Sequence, residues 1–274
     1  MIWDTEIVFL VLLLQLGISS IVCFKEGVLK AVEVAKNLKV DHLDIFCSPK
    51  HFTLDTPNEY LKELREILNS SKLSVSIKAP AFTQNIASFN DYVRDLTLAQ
   101  YKRCIDICAK LDCQLVTIRA GIFFYEEKRK RVFAQKRLLE SLEELLEYAS
   151  RLNVTLLIEN YYLPMDAVKK VKDLRKIIEL CSHHDNIGVA LNIAHLLNVR
   201  ESIQHLIYDR ILKKYIRIIY VGLPPTPWDL DYDESKLSNV IENTKKIIPL
   251  VHDPIVIIAS ISMPIIKKML EILR

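Results

Sequence analysis

"VTLLIEN", residues 154–160, is the stretch on which the fold turns. A strand with one wet face alternates apolar and polar side chains. This run does not alternate, so both of its faces must be covered, as in a parallel strand flanked by helices. It also ends in Glu159, a carboxylate at the tip of an apolar run, which requires a partner, a metal or water.

Working outward, the same kind of run recurs at 16–22, 42–48, 73–79, 114–121, 186–194, 215–222 and 254–260. Between them lie longer amphipathic runs at 26–39, 57–70, 91–111, 128–151, 166–182, 199–213, 236–248 and 264–273, with apolar residues three and four apart. Eight strand-like and eight helix-like runs in alternation predict a closed (β/α)8 TIM barrel. The rival is an open doubly wound sheet. The first turn, "GISSIVCFKEG" (17–27), lacks the GxGxxG spacing that a dinucleotide-binding sheet requires.

With 274 residues the chain is long enough for one barrel domain, predicted over 16–274. Its net charge of +3 supplies no basic tract or acidic tail, so neither composition nor pattern points to nucleic acid. The six cysteines are scattered through predicted helices and strands without a CxxC pair, which reads as reduced, buried thiols and a cytoplasmic protein. Residues 1–15 read as a hydrophobic N-terminal extension. Asp4 and Glu6 stand where a signal peptide needs positive charge, and the apolar run is short for a membrane helix. No membrane attachment is therefore expected, and the oligomeric state is left open.

Barrel chemistry gathers at the C-terminal ends of the strands. There the chain places Lys78, Arg119, Glu159 with Asn160, Asn192 with His195, and Tyr220. The second strand carries His42 and Asp44, and the eighth ends without an ionisable group. His183 and His184 fall in a polar turn and read as surface.

These segments resemble the xylose isomerase-like TIM-barrel superfamily, which includes sugar-phosphate isomerases and epimerases and the endonuclease IV repair enzymes. "SIKAP" (76–80) resembles the third-strand HAP motif, "TIRAG" (117–121) the fourth-strand HPG, "LLIEN" (156–160) the fifth-strand LEN, and "GVALNIAH" (188–195) the sixth-strand GxxxDxxH. The resemblance implies a site built on one to three divalent metals, commonly zinc, manganese or magnesium. The chain departs from the pattern where the ligands would lie. Lys78 and Arg119 stand at histidine positions, Asn192 at the aspartate, Tyr220 at a histidine, and Ile258 or Ala259 at the last glutamate, while Glu159 and His195 remain.

Lysine and arginine bring positive charge and no lone pair, so the expected site has no metal and no cofactor, a divalent cation being the alternative. The expected function is that of an isomerase/epimerase-like barrel with a degenerate site for a small anionic, sugar-like ligand. Glu159, His195 and Lys78 would be catalytic, and Lys78, Arg119, Asn160, Asn192 and Tyr220 would bind the ligand. One alternative is an inactive barrel acting as a binding or interaction protein, its polar groups paired among themselves and its mouth filled by Phe82, Phe123, Phe124, Tyr161 or Tyr162. The other is an endonuclease IV-like repair protein.

Overall fold

The protein was analysed as a computed structural model that describes residues 14–123, 128–222 and 234–274. Most of the expected N-terminal extension, Phe124 and the proline-rich segment after the seventh strand lie outside these residues.

The strands are β1 (Gln15–Ser19), β2 (His42–Phe46), β3 (Ser74–Lys78), β4 (Leu115–Arg119), β5 (Thr155–Glu159), β6 (Ile187–Asn192), β7 (Ile216–Val221) and β8 (Ile255–Ile258). Each pairs in parallel with the next, and β8 pairs with β1, so the barrel is closed. The helices are α1 (Val28–Asn37), α2 (Asn58–Ser71), α3 (Asp91–Lys110), α4 (Lys128–Ser150), α5 (Val171–Leu180), α6 (Ile193–Asn198), α7 (Ile203–Tyr208), α8 (Glu234–Ile247) and α9 (Met263–Leu273). Their apolar faces and the outer faces of the strands form one continuous core. This double cover is why the strands read as unbroken apolar runs.

Three boundaries differ from expectation, each for a local reason. The first strand stops at Ser19, and Ser20–Cys23 form a 3₁₀ turn. The Ser20 hydroxyl accepts from the Phe46 amide at 2.9 Å and bonds His51 Nε2 at 2.8 Å, drawing the chain off the sheet. α5 begins at Val171 rather than 166, because Asp173 Oδ2 caps its start by accepting from the amides of Lys169 and Lys170. The single helix expected over 199–213 shrinks to α7, capped by Ser202, and the start of a 3₁₀ turn at Leu212–Lys214, while a separate short helix, α6, capped by Asn192, precedes that span.

All six cysteines are buried free thiols. Among the described residues, no helix is long and apolar enough to cross a membrane.

Candidate functional site

Lys78, Glu159, Asn192 and His195 meet at the C-terminal mouth of the barrel. Lys78 reaches over β4 so that its Nζ lies 2.9 Å from both Glu159 oxygens, donating to Oε1. Asn192 Nδ2 donates to the same Oε1 at 3.0 Å. Oε2 is buried and accepts no hydrogen bond of good geometry, although it touches the ammonium. One ammonium cannot aim a hydrogen squarely at both oxygens while it also lies over the Tyr220 ring, 3.8 Å from its centroid. The Glu159 side chain is only 1% exposed, so its charge depends on these partners.

Asn192 also orders the next residue of the site. Its Oδ1 accepts from the His195 amide at 3.1 Å and caps α6. His195 Nδ1 donates to the Asn160 carbonyl at 2.8 Å. A carbonyl only accepts, so the neutral ring carries its proton on Nδ1 and its lone pair on Nε2. Tyr161 and Tyr162 pack against the ring, with centroids at 5.0 and 4.9 Å. Asn160 is fully enclosed; its side chain binds the Asn192 backbone at N–H and C=O and ties β5 to β6.

Arg119 adjoins this group without joining it. Its guanidinium binds the Asp166 carboxylate, donates to the Ala81 carbonyl at 2.7 Å and stacks over Tyr161. Asp166 also accepts from the Leu163 amide at 2.6 Å. Arg119 is therefore spoken for by side chains of the mouth itself. Asp166 was missed from sequence because it lies at the expected start of a helix, where an acidic residue is ordinary.

Beneath Lys78 a polar column runs down the barrel. Tyr220 on β7 donates to Asp44 on β2 at 3.1 Å, and only a contact through the interior can join these non-neighbouring strands. Ser76 donates to Asp44 at 2.6 Å, and His42 bonds Ser76 and Ser74 at 2.9 and 2.8 Å. Thr117 lies 3.3 Å from the Tyr220 hydroxyl. Tyr220 thus sits below the mouth as the link between Lys78 and this column. Asp44 is a buried carboxylate that periodicity alone could not assign to the interior.

Burial dominates titration here. It pushes His195 down to about 4, opposed by the Glu159 charge, and His42 down to about 3. Both therefore stay neutral at pH 7. Unfolded, they take up protons near 6.5, so between about 6.5 and 4 the unfolded chain binds more protons than the folded one. Stability is then lost as pH falls through this window. Asp44, which burial raises from 3.8 to about 6, and Asp166, also raised by burial, act in the opposite sense, while His51, lowered by burial, adds to the two histidines, so three imidazoles are set against two carboxyls. Urea midpoints should decline from pH 7 to about pH 4.5, and His42→Asn should flatten that decline. A wild-type profile that is level, or rises toward acid, would contradict the assignment.

The residues at the mouth do not fit a divalent cation. An ammonium already bridges Glu159, Arg119 holds Asp166, and Asn192 turns its amide nitrogen toward Glu159 and its oxygen toward a backbone N–H, which leaves His195 Nε2 as the one ready donor of this group, too few to hold an ion. The site is a degenerate form of the metal-binding pattern. The three-residue His/carboxylate cluster among the described residues, Glu143 with His183 and His184, lies elsewhere, beside the loop that enters β6.

A model of the xylose isomerase-like TIM-barrel family matches residues 32–223, well over half of the chain. An uncharacterised protein of Methanocaldococcus jannaschii is 24% identical over 195 residues, covering 68% of this chain and 62% of that protein, so the chain spans less than two thirds of this relative's length. Among solved structures, a D-tagatose 3-epimerase-like protein superposes with a TM-score of 0.76 at 21% identity, over 95% of this chain and 96% of that one. A D-psicose 3-epimerase with D-tagatose, from Clostridium cellulolyticum H10, gives 0.71 at 18% identity, over 95% and 90%. The likeness to these epimerases is one of fold. The chain belongs to the xylose isomerase-like TIM-barrel family.

Proposed function

We propose that this protein is a metal-independent relative of the sugar isomerases and epimerases that binds a small anionic, sugar-like compound at the barrel mouth. The observation that carries this reading is the Lys78 ammonium set against Glu159, whose buried Oε2 has no well-aligned donor. Lys78 would supply the positive charge that a cation gives in other barrels. Glu159 Oε2 would take a proton from a hydroxyl, or from the carbon beside a carbonyl. In the second case the C–H electron pair moves onto the carbonyl oxygen as an enolate, and the Lys78 charge stabilises that oxygen. Return of a proton from solvent to the opposite face gives the epimer, and Glu159 releases the proton that it took to solvent, which restores the carboxylate.

Room for a ligand lies next to this group, between the loops that follow β2 and β3, in a cleft of about 700 Å³ lined in part by Phe46, Pro80, Phe82, Gln84 and Gln100; Phe46 pairs with Lys78 across β2 and β3, while Lys78 and Glu159 themselves do not line the cleft. Phe82 is 63% exposed and stands as a flat face for a sugar ring rather than filling the mouth.

A second reading, binding without turnover, draws on the closed pairing of Arg119 with Asp166 and the tyrosines packed on His195. The endonuclease IV-like reading finds no support, because its chemistry requires metal-activated water.

Thermal shift with D-fructose, D-tagatose, sugar phosphates and sugar acids, followed by NMR of the carbon-bound hydrogens in D2O, tests these readings. A shift lost in Lys78→Met, with deuterium entering the sugar only when Glu159 is intact, is the expected result. A shift without exchange selects binding alone. No shift with any compound, or an equal shift in Lys78→Met, overturns the proposal.

A further inference from the structure

The Glu143–His183–His184 cluster lies at the end of the barrel opposite the mouth, where the loop after α5 enters β6. Glu143 projects from α4. Its Oε2 lies 3.1 Å from His183 Nε2 and 2.6 Å from His184 Nε2. The two imidazoles face each other with ring centroids 4.4 Å apart, and the three ligating atoms all fall within 4.8 Å of one another. In a tetrahedral zinc site with bonds of about 2.0–2.1 Å, neighbouring donors are spaced roughly 3.3 Å apart. The two spacings from Glu143, 3.1 and 2.6 Å, are near or below that value.

The loop that presents the histidines is fixed independently of them. Asn186 Nδ2 donates to the Leu146 carbonyl of α4 at 3.0 Å and to the Val154 carbonyl before β5 at 3.1 Å. The His184 amide closes a turn onto the Cys181 carbonyl at 3.0 Å. A metal would therefore find its donors held rather than having to gather them. His184 is largely buried, with a side chain 15% exposed, and His183 at 60% leaves the approach open. Burial favours the neutral form of Glu143, but the hydrogen bonds from His184 and His183 outweigh it and hold the carboxylate below its usual range.

We propose that Glu143, His183 and His184 form a binding site for one transition-metal ion of the zinc type, which clips α4 to the loop entering β6. Two imidazole nitrogens and one carboxylate suit zinc, cobalt or nickel, whereas magnesium and calcium require oxygen donors. Binding exchanges the two Nε2–H bonds to Glu143 for metal bonds, each imidazole then carrying its proton on Nδ1 and leaving Nε2 to the metal. The fourth position faces solvent and takes water. The site stands apart from the reading of the mouth given above and does not depend on it.

The test is a zinc titration of tag-free, chelator-treated protein by calorimetry, with magnesium as a control and cobalt as a spectroscopic probe. One zinc per chain is expected, with no heat from magnesium and the visible absorption of tetrahedral cobalt. His183→Ala/His184→Ala and Glu143→Gln should each weaken zinc binding at least tenfold, with circular dichroism confirming the fold. Glu159→Gln should leave zinc binding unchanged, which separates this site from the mouth. Absence of zinc binding, equal binding in the double histidine variant, or loss of binding in Glu159→Gln alone would overturn the proposal.

Discussion

Lys78→Met is expected to lower the free energy of unfolding by about 3–5 kcal/mol, read from urea denaturation at neutral pH. The size comes from what is left behind rather than from the contact removed. Glu159 is 1% exposed, and without the ammonium its charge keeps no cationic partner, only neutral groups such as the Asn192 amide. An ionised carboxylate so enclosed must either bear the desolvation penalty or take up a proton. The loss should therefore shrink when Glu159 is neutralised as well. Lys78→Met/Glu159→Gln should recover more than half of it, because the double variant buries no unpaired charge. Single and double variants of equal stability would show that the penalty lies in packing over Tyr220 instead. The same experiment bears on function, since a ligand must compete with Glu159 for Lys78.

The second large effect is expected at the neighbouring pair. Arg119→Leu should cost about 3–5 kcal/mol, and Asp166→Leu a similar amount. Their side chains are 5% and 1% exposed, so each loses its main partner where water cannot replace it. The Ala81 carbonyl and the Leu163 amide lose a bond as well, which adds about 1–3 kcal/mol for each buried group left unsatisfied. Arg119→Leu/Asp166→Leu should be less than additive. A cost below about 1 kcal/mol for either single change would mean that the pair is exposed in solution, in line with weak surface ion pairs. Arg119 would then be free to meet an anionic ligand.

The expected strand ends and the residues on them were legible because they depend on order and spacing. Lys78, Glu159, Asn192 and His195 each end a strand or follow one, and parallel strands in a closed barrel carry all such ends to one mouth. Their partners were not legible in the same way. Asp166 lies in a loop that the amphipathic pattern assigned to a helix. Asp44 and Tyr220 are 176 residues apart and meet only across the barrel interior. Lys78 and Arg119 look alike from sequence, as basic residues ending adjacent strands, yet one pairs with Glu159 and the other with Asp166.

By itself the chain of side chains determined the eight parallel strands, the closed barrel and the end at which the polar residues gather, because covering both faces of a strand leaves its mark on every residue along it. Tertiary structure alone decided which charge neutralises which, that His195 is neutral with its proton on Nδ1, and that His183 and His184, read as surface, converge with Glu143 at the far end. Those outcomes are set by distances of a few ångströms between segments far apart in sequence. Electrostatic and hydrogen-bond energies vary steeply over such distances, and no local pattern records them.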